Sequence, residues 1–485
     1  MKLNDATTII LGPPGTGKTR TLIDRVSSLI ADGVPPEQIG YISFTRQAVR
    51  EARERIRKDF PDLPVQSFCG FRTLHSMIYW ILGMQVHQVI TTEEVCTLNG
   101  SAKGPHASRQ DVEQAQAYSH IYDYSRVTKL PLGKAWEKLS NERCGTEEDF
   151  LQWVQAYKAY KRMSSKVDFN DMVDQFIGRS LKFPFQHLFI DEAQDFTPSQ
   201  WAAAKLLASA SDTVTVAGDS DQTIFSWAGV QAHLFDELEG ERVVLDQSHR
   251  LPKRPHSLAT CILTHMKRDV LYKPTELEGS VEWLYPEEAD DLPYDNGETW
   301  YVLARNQCYV KQVKRRLFER QVFYKGLSSS YGDCPTERMI TRIQWYKKKL
   351  AGGELTRYQT SQLESVIPDL SEAVEVSRPW HLAFQSWPIE QIKFFMRTEH
   401  RWHDPKVFVG TFHSSKGAEA DNVVLVGECT RRVSQAFNRA DPNELRVLYV
   451  AATRTKNNLY LLQSSEKGGI PWHHFLNHAL INGQL

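Results

Sequence analysis

The chain of 485 residues balances 58 Lys+Arg against 59 Asp+Glu and is 41% apolar, the make-up of a folded protein with room for roughly two to four domains. Its 11% aromatic content excludes a disordered, collagen-like or mucin-like chain, and a net charge of -1 leaves nucleic-acid binding to be decided by local pattern. The seven cysteines, at 69, 96, 144, 261, 308, 334 and 429, are odd in number and nowhere spaced as ligand pairs, so neither a disulfide framework nor a zinc site is expected.

The N-terminal stretch reads as neither a signal peptide nor a membrane span, because its short apolar run leads directly into glycines. That run, Thr7-Thr8-Ile9-Ile10-Leu11, is a predicted strand. It opens into Gly12-Pro13-Pro14-Gly15-Thr16-Gly17-Lys18-Thr19, a full match to G-x-x-x-x-G-K-S/T. A helix follows, with Leu22, Ile23, Val26, Leu29 and Ile30 on one face. Strand, loop and helix in this order suit a phosphate cradle better than a plain glycine turn. The glycines turn backbone N–H groups toward a β-phosphate, the helix N-terminus adds its dipole, Lys18 reaches the β/γ oxygens, and Thr19 offers a hydroxyl to Mg²⁺.

A strand over 41–44 leads through Thr45 and Arg46 into a helix with apolar face Ala48, Val49, Ala52 and Ile56. Arg46, Arg50, Arg53, Arg55 and Arg57 point elsewhere, and a solvated basic face looks the same in sequence as one that follows phosphates. Residues 71–164 carry helical patterning, including Phe150, Val154, Tyr157 and Tyr160, and are long for a simple crossover. A strand at His187–Ile190 ends in Asp191 and Glu192. An acid there lies on the ligand edge of a parallel sheet, where Asp191 can hold Mg²⁺ and Glu192 can polarise a water. The next strand, Val214–Ala217, runs into a loop from Gly218 to Trp227, in which Gln222 is positioned to sense a γ-phosphate and Trp227 to stack on a base. Further strands are expected near 243–245, 300–304, 407–410, 422–426 and 458–461. Residues 335–400, with Trp345, Trp380, Trp387 and the run Lys347-Lys348-Lys349, read as a small helical insert.

Six motifs, GPPGTGKT, DEAQDF, GDSDQTIFSWAG, LDQSHR, GTFHSSKGAEADNVVL and LRVLYVAATRTKNNLYL, occur in this order between residues 12 and 461. In that order they resemble the UvrD/Rep type of superfamily 1 helicases, as a compact member. The resemblance implies an α/β fold of two RecA-like P-loop NTPase lobes with parallel sheets, each carrying a mostly helical insert. It divides the chain into a first lobe (1–70 and 165–250) with a helical insert (71–164), and a second lobe (251–334 and 401–485) with the insert 335–400. ATP and Mg²⁺ are the implied cofactors, bound between the lobes, with Gly12, Pro13, Gly15, Thr16 and Gly17 around the phosphates. Arg250 and Arg454 fall on the motif positions that clamp the γ-phosphate charge, Glu419 on the position that hydrogen-bonds the ribose, and Gly417 allows close approach.

Phe44, Thr45 and Arg46 occupy the family's single-strand contact motif, with Arg46 where Asn is usual. Thr73, His75, Asp168, Phe169, Thr411 and His413 resemble further contact positions, and Phe225 and Trp227 are the expected base-stacking pair. The implied activity is ATP-dependent 3′→5′ translocation on single-stranded DNA with duplex unwinding, as in DNA replication or repair. The alternative is a translocase that strips proteins with little unwinding of its own. A binding module without catalysis is disfavoured because Lys18, Glu192 and Arg454 are all present. The implied partners are single-stranded DNA and single-strand/duplex junctions, read without regard to sequence, in a bacterial cytosol or an infected host cell. No oligomeric state is set, and a monomer is compatible with the pattern.

Departures from the family accompany these matches. No Gln stands among the residues before Gly12 to read an adenine edge, so base choice is expected to fall to stacking between Arg20 and His249 and to be relaxed. Ala228 stands where Arg is usual after Trp227, the second insert is short, and nothing nuclease-like is expected over 464–485.

Overall fold

Runs of β-branched residues separated by amphipathic helices build two parallel sheets. The computed structural model describes residues 1–91, 94–95, 109–141, 144–179, 185–268, 272–327, 335–367, 369–384, 388–397, 405–464 and 468–476. Trp387, Cys96, Cys334 and most of 464–485 fall outside them. The chain divides into two units, Met1–His249 with Leu271–Lys273, and Arg250–Val270 with Pro274–Leu485.

The first unit holds β1 (Thr7–Leu11), β2 (Ile39–Ser43), β3 (Phe71–Thr73), β4 (His187–Ile190), β5 (Thr213–Gly218) and β6 (Glu241–Val244). Their order is β3-β2-β4-β5-β1-β6, all parallel. Its central strands are buried on both faces, so apolar residues run without interruption, as in Ile9 and Ile10, which enter different cores. Helix α1 (Lys18–Ala31) buries Leu22, Ile23 and Val26, and α2 (Arg46–Asp59) buries Val49, Ala52 and Ile56, while Ala48, expected on that face, is only half-buried. Because every strand runs the same way, the chain leaves each at one edge. Leu11 lies beside Gly218, Ile42 beside Ile190, and Ser43 beside Thr73.

The helical insert begins later than residue 71. Residues 71–73 form β3, and α3 (Leu74–Ile81) packs Leu74, Met77 and Ile78 into the core of the first sheet. The insert helices α4 (Arg109–Thr128), α5 (Leu132–Leu139) and α6 (Glu147–Ser164) enclose their own core, in which Phe150, Val154 and Tyr157 are buried and Tyr160 packs at the side. Helix α7 (Phe169–Arg179) returns Met172, Val173 and Phe176 to the sheet, as α8 (Pro198–Ala208) does with Trp201.

In the second unit β7 (Ser280–Leu284), β8 (Trp300–Ala304), β9 (Tyr324–Gly326), β10 (Val407–Thr411), β11 (Ala420–Leu425) and β12 (Thr455–Leu462) are ordered β7-β12-β11-β8-β10-β9, again parallel. Trp300, Val302, Val409, Val424 and Tyr460 fill one side. Helices α9 (Lys253–His265) and α10 (Gln307–Glu319) flank the sheet. An insert that includes α11 (Pro335–Leu350) and α12 (Arg357–Glu364) buries Ile343, Tyr346 and Leu363, with Trp345 and Trp380 packed at its margin. Helix α13 (Pro442–Ala452) precedes β12.

Strands β3, β7 and β9 were not anticipated. Two are three residues long, too short for a period to register, and β7 is a partly exposed edge strand whose Glu282 interrupts the apolar signal. The strand expected at 243–245 is Glu241–Val244, a largely exposed edge whose flanking apolar residues misplace its end. Among the described residues no helix is long and apolar enough to cross a membrane.

Candidate functional site

The loop between β1 and α1 closes on itself through its own backbone. Lys18 is buried and donates from Nζ to the Gly12 carbonyl at 2.5 Å, and the Thr16 hydroxyl donates to Pro13 O at 2.9 Å. Gly17 caps α1 with φ +85°, a left-handed conformation that glycine adopts without a Cβ penalty. A Cβ on Gly12 would lie 2.3 Å from Thr16 Oγ1 and 3.2 Å from Lys18 Cγ, so only glycine leaves the lysine in this position. The loop is also held from β6 onward, where His249 N donates to Gly15 O at 2.8 Å and Ser248 Oγ to Pro14 O at 3.0 Å. His249 Cδ2 sits 3.9 Å from the Cβ direction at Gly17, whereas Arg20 is directed to solvent beside Asp24, at 3.7 Å.

Asp191, at the end of β4, is buried and accepts from Thr19 Oγ1 at 2.8 Å and from the Tyr41 hydroxyl at 3.1 Å. Burial first, and the neighbouring Glu192 charge second, push its carboxyl up to about 6, against the opposing effects of Thr19, Tyr41 and Lys18. Glu192 holds φ +53°, a sparsely populated conformation for a side-chain-bearing residue and one that recurs at functional sites. Its Oε2 accepts from Gln194 Nε2 at 2.6 Å. Gln194 Oε1 in turn accepts from the Asp219 backbone at 3.1 Å, and Asp219 Oδ2 accepts from Gln222 Nε2 at 2.7 Å. Removal from water raises the Asp219 carboxyl, with Lys18 opposing the shift and Glu192 adding to it. Lys18 thus favours the ionised form of both Asp191 and Asp219.

This donor set fits Mg²⁺. Thr19 and Asp191 offer two hard oxygens 2.8 Å apart, and Mg²⁺ is ordinarily held by one or two protein oxygens plus substrate phosphates and water. Among the described residues no group of three or more His, Cys, Asp or Glu side chains is arranged to hold a metal by itself.

In the second unit a second set of expected residues gathers where β11 and β12 begin, with Ala420 paired to Thr455. Glu419 accepts from Arg250 Nη1 at 3.2 Å and lies 2.8 Å from Lys456 Nζ. Burial works against its ionisation, but the Lys456 hydrogen bond and the Arg250 charge outweigh it and hold the carboxyl below its usual range. Arg454 is buried, donating from Nε to Val450 O at 2.7 Å at the end of α13 and from Nη1 to Ala418 O at 3.5 Å. Gly417, with φ +78°, has open space in its Cβ direction. Thr411 and His413 lie instead at the opposite, carboxyl end of β10, beside Ala304. Thr411 Oγ1 accepts from Ser414 N at 3.1 Å, and burial, then Arg305 and Lys416, push His413 down to about 4.

The aromatic residues expected at the strand meet one another across two loops. Phe225 stacks on Phe44, with centroids 5.2 Å apart and planes 20° off parallel, and meets Trp227 only by its edge, at 6.4 Å. Trp227 is 54% exposed and tilts against His120 of α4, at 5.6 Å. Phe169, 55% exposed, meets the half-buried His75 edge-on at 5.4 Å. Asp168 is salt-bridged to Lys161 and Arg126. Thr45 and Thr73 cap α2 and α3, accepting from Ala48 N at 3.1 Å and Ser76 N at 3.4 Å, so both have a structural task whatever else they touch. Arg46 opens onto solvent.

Comparison with known sequences gives two ordered matches: the UvrD/REP helicase N-terminal domain over residues 1–242 and the UvrD-like helicase C-terminal domain over 389–466. The chain belongs to the UvrD/Rep-type family of superfamily 1 helicases. Similar curated relatives of this UvrD/Rep-type chain are the ATP-dependent DNA helicases PcrA of Staphylococcus aureus, Leuconostoc citreum and Bacillus subtilis. The first is 26% identical over 52% of this chain and 37% of its own length, the second 25% over 60% and 40%, and the third 25% over 68% and 47%. The chain thus spans less than half the length of these relatives.

For this family member, several neighbours of the expected residues went unnoticed in sequence. Gln194 and Asp219 lie inside the motifs and were legible there as polar residues within a few positions of Glu192 and Gln222. Tyr41 lies within β2, and Lys456 within β12 and the last motif. His120 had no local signal, since it reaches Trp227 from the insert.

Proposed function

We propose that this chain is an ATP-dependent DNA helicase that moves 3′→5′ on single-stranded DNA and separates duplex strands, driven by hydrolysis of Mg²⁺-bound ATP at the loop before α1. The observation that carries this reading is the hydrogen-bond sequence Glu192–Gln194–Asp219–Gln222, which ends three residues before Phe225 in the loop that also bears Trp227. One loop thereby touches both the hydrolytic carboxylate and the aromatic row.

In this reading the glycine loop and the α1 N-terminus receive the phosphates, and Lys18 leaves its carbonyl partners for the β/γ oxygens. Thr19 and Asp191 hold Mg²⁺, which supplies charge neutralisation on the transferring phosphoryl group. Glu192 orients the attacking water and takes its proton, Gln222 registers the γ-phosphate, and Arg250 and Arg454 stabilise its developing charge. Glu419 binds the ribose. Phe44, Phe225 and Trp227 stack on bases, with Thr45, Arg46, Thr73, His75, Phe169, Thr411 and His413 as further contacts.

The test is ATPase rate with and without single-stranded DNA, followed by unwinding of duplexes with a 3′ or a 5′ tail. Stimulation by the strand and preferential opening of 3′-tailed substrates are expected; equal or better opening of 5′-tailed ones overturns the polarity. Stimulation without strand separation on either substrate assigns the chain to protein-stripping translocases instead. Trp227→Ala is expected to lower strand affinity by roughly 5- to 150-fold, the ~1–3 kcal/mol of one stacked base, and to leave hydrolysis without DNA within about twofold. An unchanged affinity removes Trp227 from the track.

A further inference from the structure

Helix α2 carries Arg46, Arg50, Arg53 and Arg57 at spacings of four, three and four residues, which places all of them on one stripe of the helix. The stripe lines an open groove of about 500 Å³ together with Gln47, Glu54 and Val65. Over eleven residues it runs about 16 Å along the helix axis. Arg46, Arg50 and Arg57 are exposed, and Arg53 is half-buried with Nε enclosed and without a hydrogen-bond partner among the described residues. Acidic relief is thin, since Arg50 has only the weak, exposed pairing with Glu54, at 3.7 Å. Burial first, and the charge of Arg53 as well, pull the Arg72 guanidinium below its ordinary value. Four planar forks against one lining carboxylate suit a chain of phosphates, which arginine grips bidentately.

The groove does not stand alone. Arg46 is its first residue and lies two positions after Phe44, which stacks on Phe225. We infer that the arginine stripe of α2 holds the phosphodiester backbone of the single strand as it leaves the aromatic row, lengthening the track by several nucleotides along the helix. This inference rests on the proposed nucleic-acid function. Continuity with Phe44 favours the strand over an acidic protein segment, which needs no aromatic neighbour.

The experiment measures binding of fluorescent oligothymidylates of about 6 and about 16 nucleotides across a salt series. For Arg50→Ala/Arg57→Ala, two exposed positions, the slope of log K against log salt for the long strand is expected to become shallower by about 1.4, with affinity about 25-fold weaker near 0.1 M salt. The short strand is expected to bind as to the unaltered protein, and Arg50→Lys/Arg57→Lys to keep the slope. Should the double alanine variant not fold, Arg57→Ala alone is expected to show about half the slope change. An unchanged slope on the long strand, or equal losses on both lengths, overturns the inference. So does binding of a polyglutamate peptide that the variant loses while DNA binding persists, which assigns the groove to a protein partner. If the unaltered protein binds neither oligonucleotide, the proposed function falls, and the inference with it.

Discussion

Lys18→Ala is expected to lower ATP turnover by at least about 10²–10³-fold, the effect of deleting one charged donor from a phosphoryl-transfer site. The ammonium donates to the Gly12 and Pro13 carbonyls and favours the ionisation of Asp191 and Asp219. Its removal leaves those carboxylates without their cation, so they rise further, and the carbonyl contacts go with it. The loss of stability is expected to be modest, about 1–3 kcal/mol, because carbonyls at a loop can turn to water. Phosphate release and a thermal melt with and without ATP separate the two effects. Near-normal hydrolysis by a folded variant removes the loop before α1 from the reaction.

Glu192→Gln is expected to divide binding from chemistry: ATP affinity within a fewfold of normal, and turnover lower by about 10²–10⁴. The amide has the size of the carboxylate, and its own oxygen can still accept from Gln194 Nε2, which leaves Gln194 Oε1 on the Asp219 backbone. It cannot take a proton from water. Equilibrium binding of ATP beside single-turnover hydrolysis decides the matter, and a loss of affinity equal to the loss of rate reduces Glu192 to a structural part of the loop.

What could be read in the sequence and what could not follow from how far each signal reaches. The glycine loop, Asp191 and Glu192 are specified within a few residues, because phosphate and metal chemistry demands fixed types at fixed spacing, and long buried strands such as Trp300–Ala304 announce themselves by composition. The helical face Phe150, Val154 and Tyr157 was legible by period, although its insert begins after α3 rather than at residue 71. Edge strands β7 and β9 carry too little burial to leave a pattern. Pairings between distant segments leave none at all. Nothing local shows that Phe225 stacks on Phe44, that His120 backs Trp227, or that Glu419 stands between Arg250 and Lys456.

The division of the chain has a consequence for anyone who cuts it. Residues 271–273 belong to the first unit although the chain has already entered the second at Arg250. Lys273 completes the segment after β6, receiving a bond from Ser248 N, giving one to Asp246 O, and pairing with Gln247. The backbone therefore passes between the units three times in about twenty-five residues, and the halves are sewn together by a running stitch instead of joined by one thread. A fragment ending at His249 lacks the strip that holds Ser248, one of the two residues bonded to the phosphate loop. A severed second half carries that strip with nothing to lay it against. A single scission at the apparent border therefore leaves each fragment incomplete.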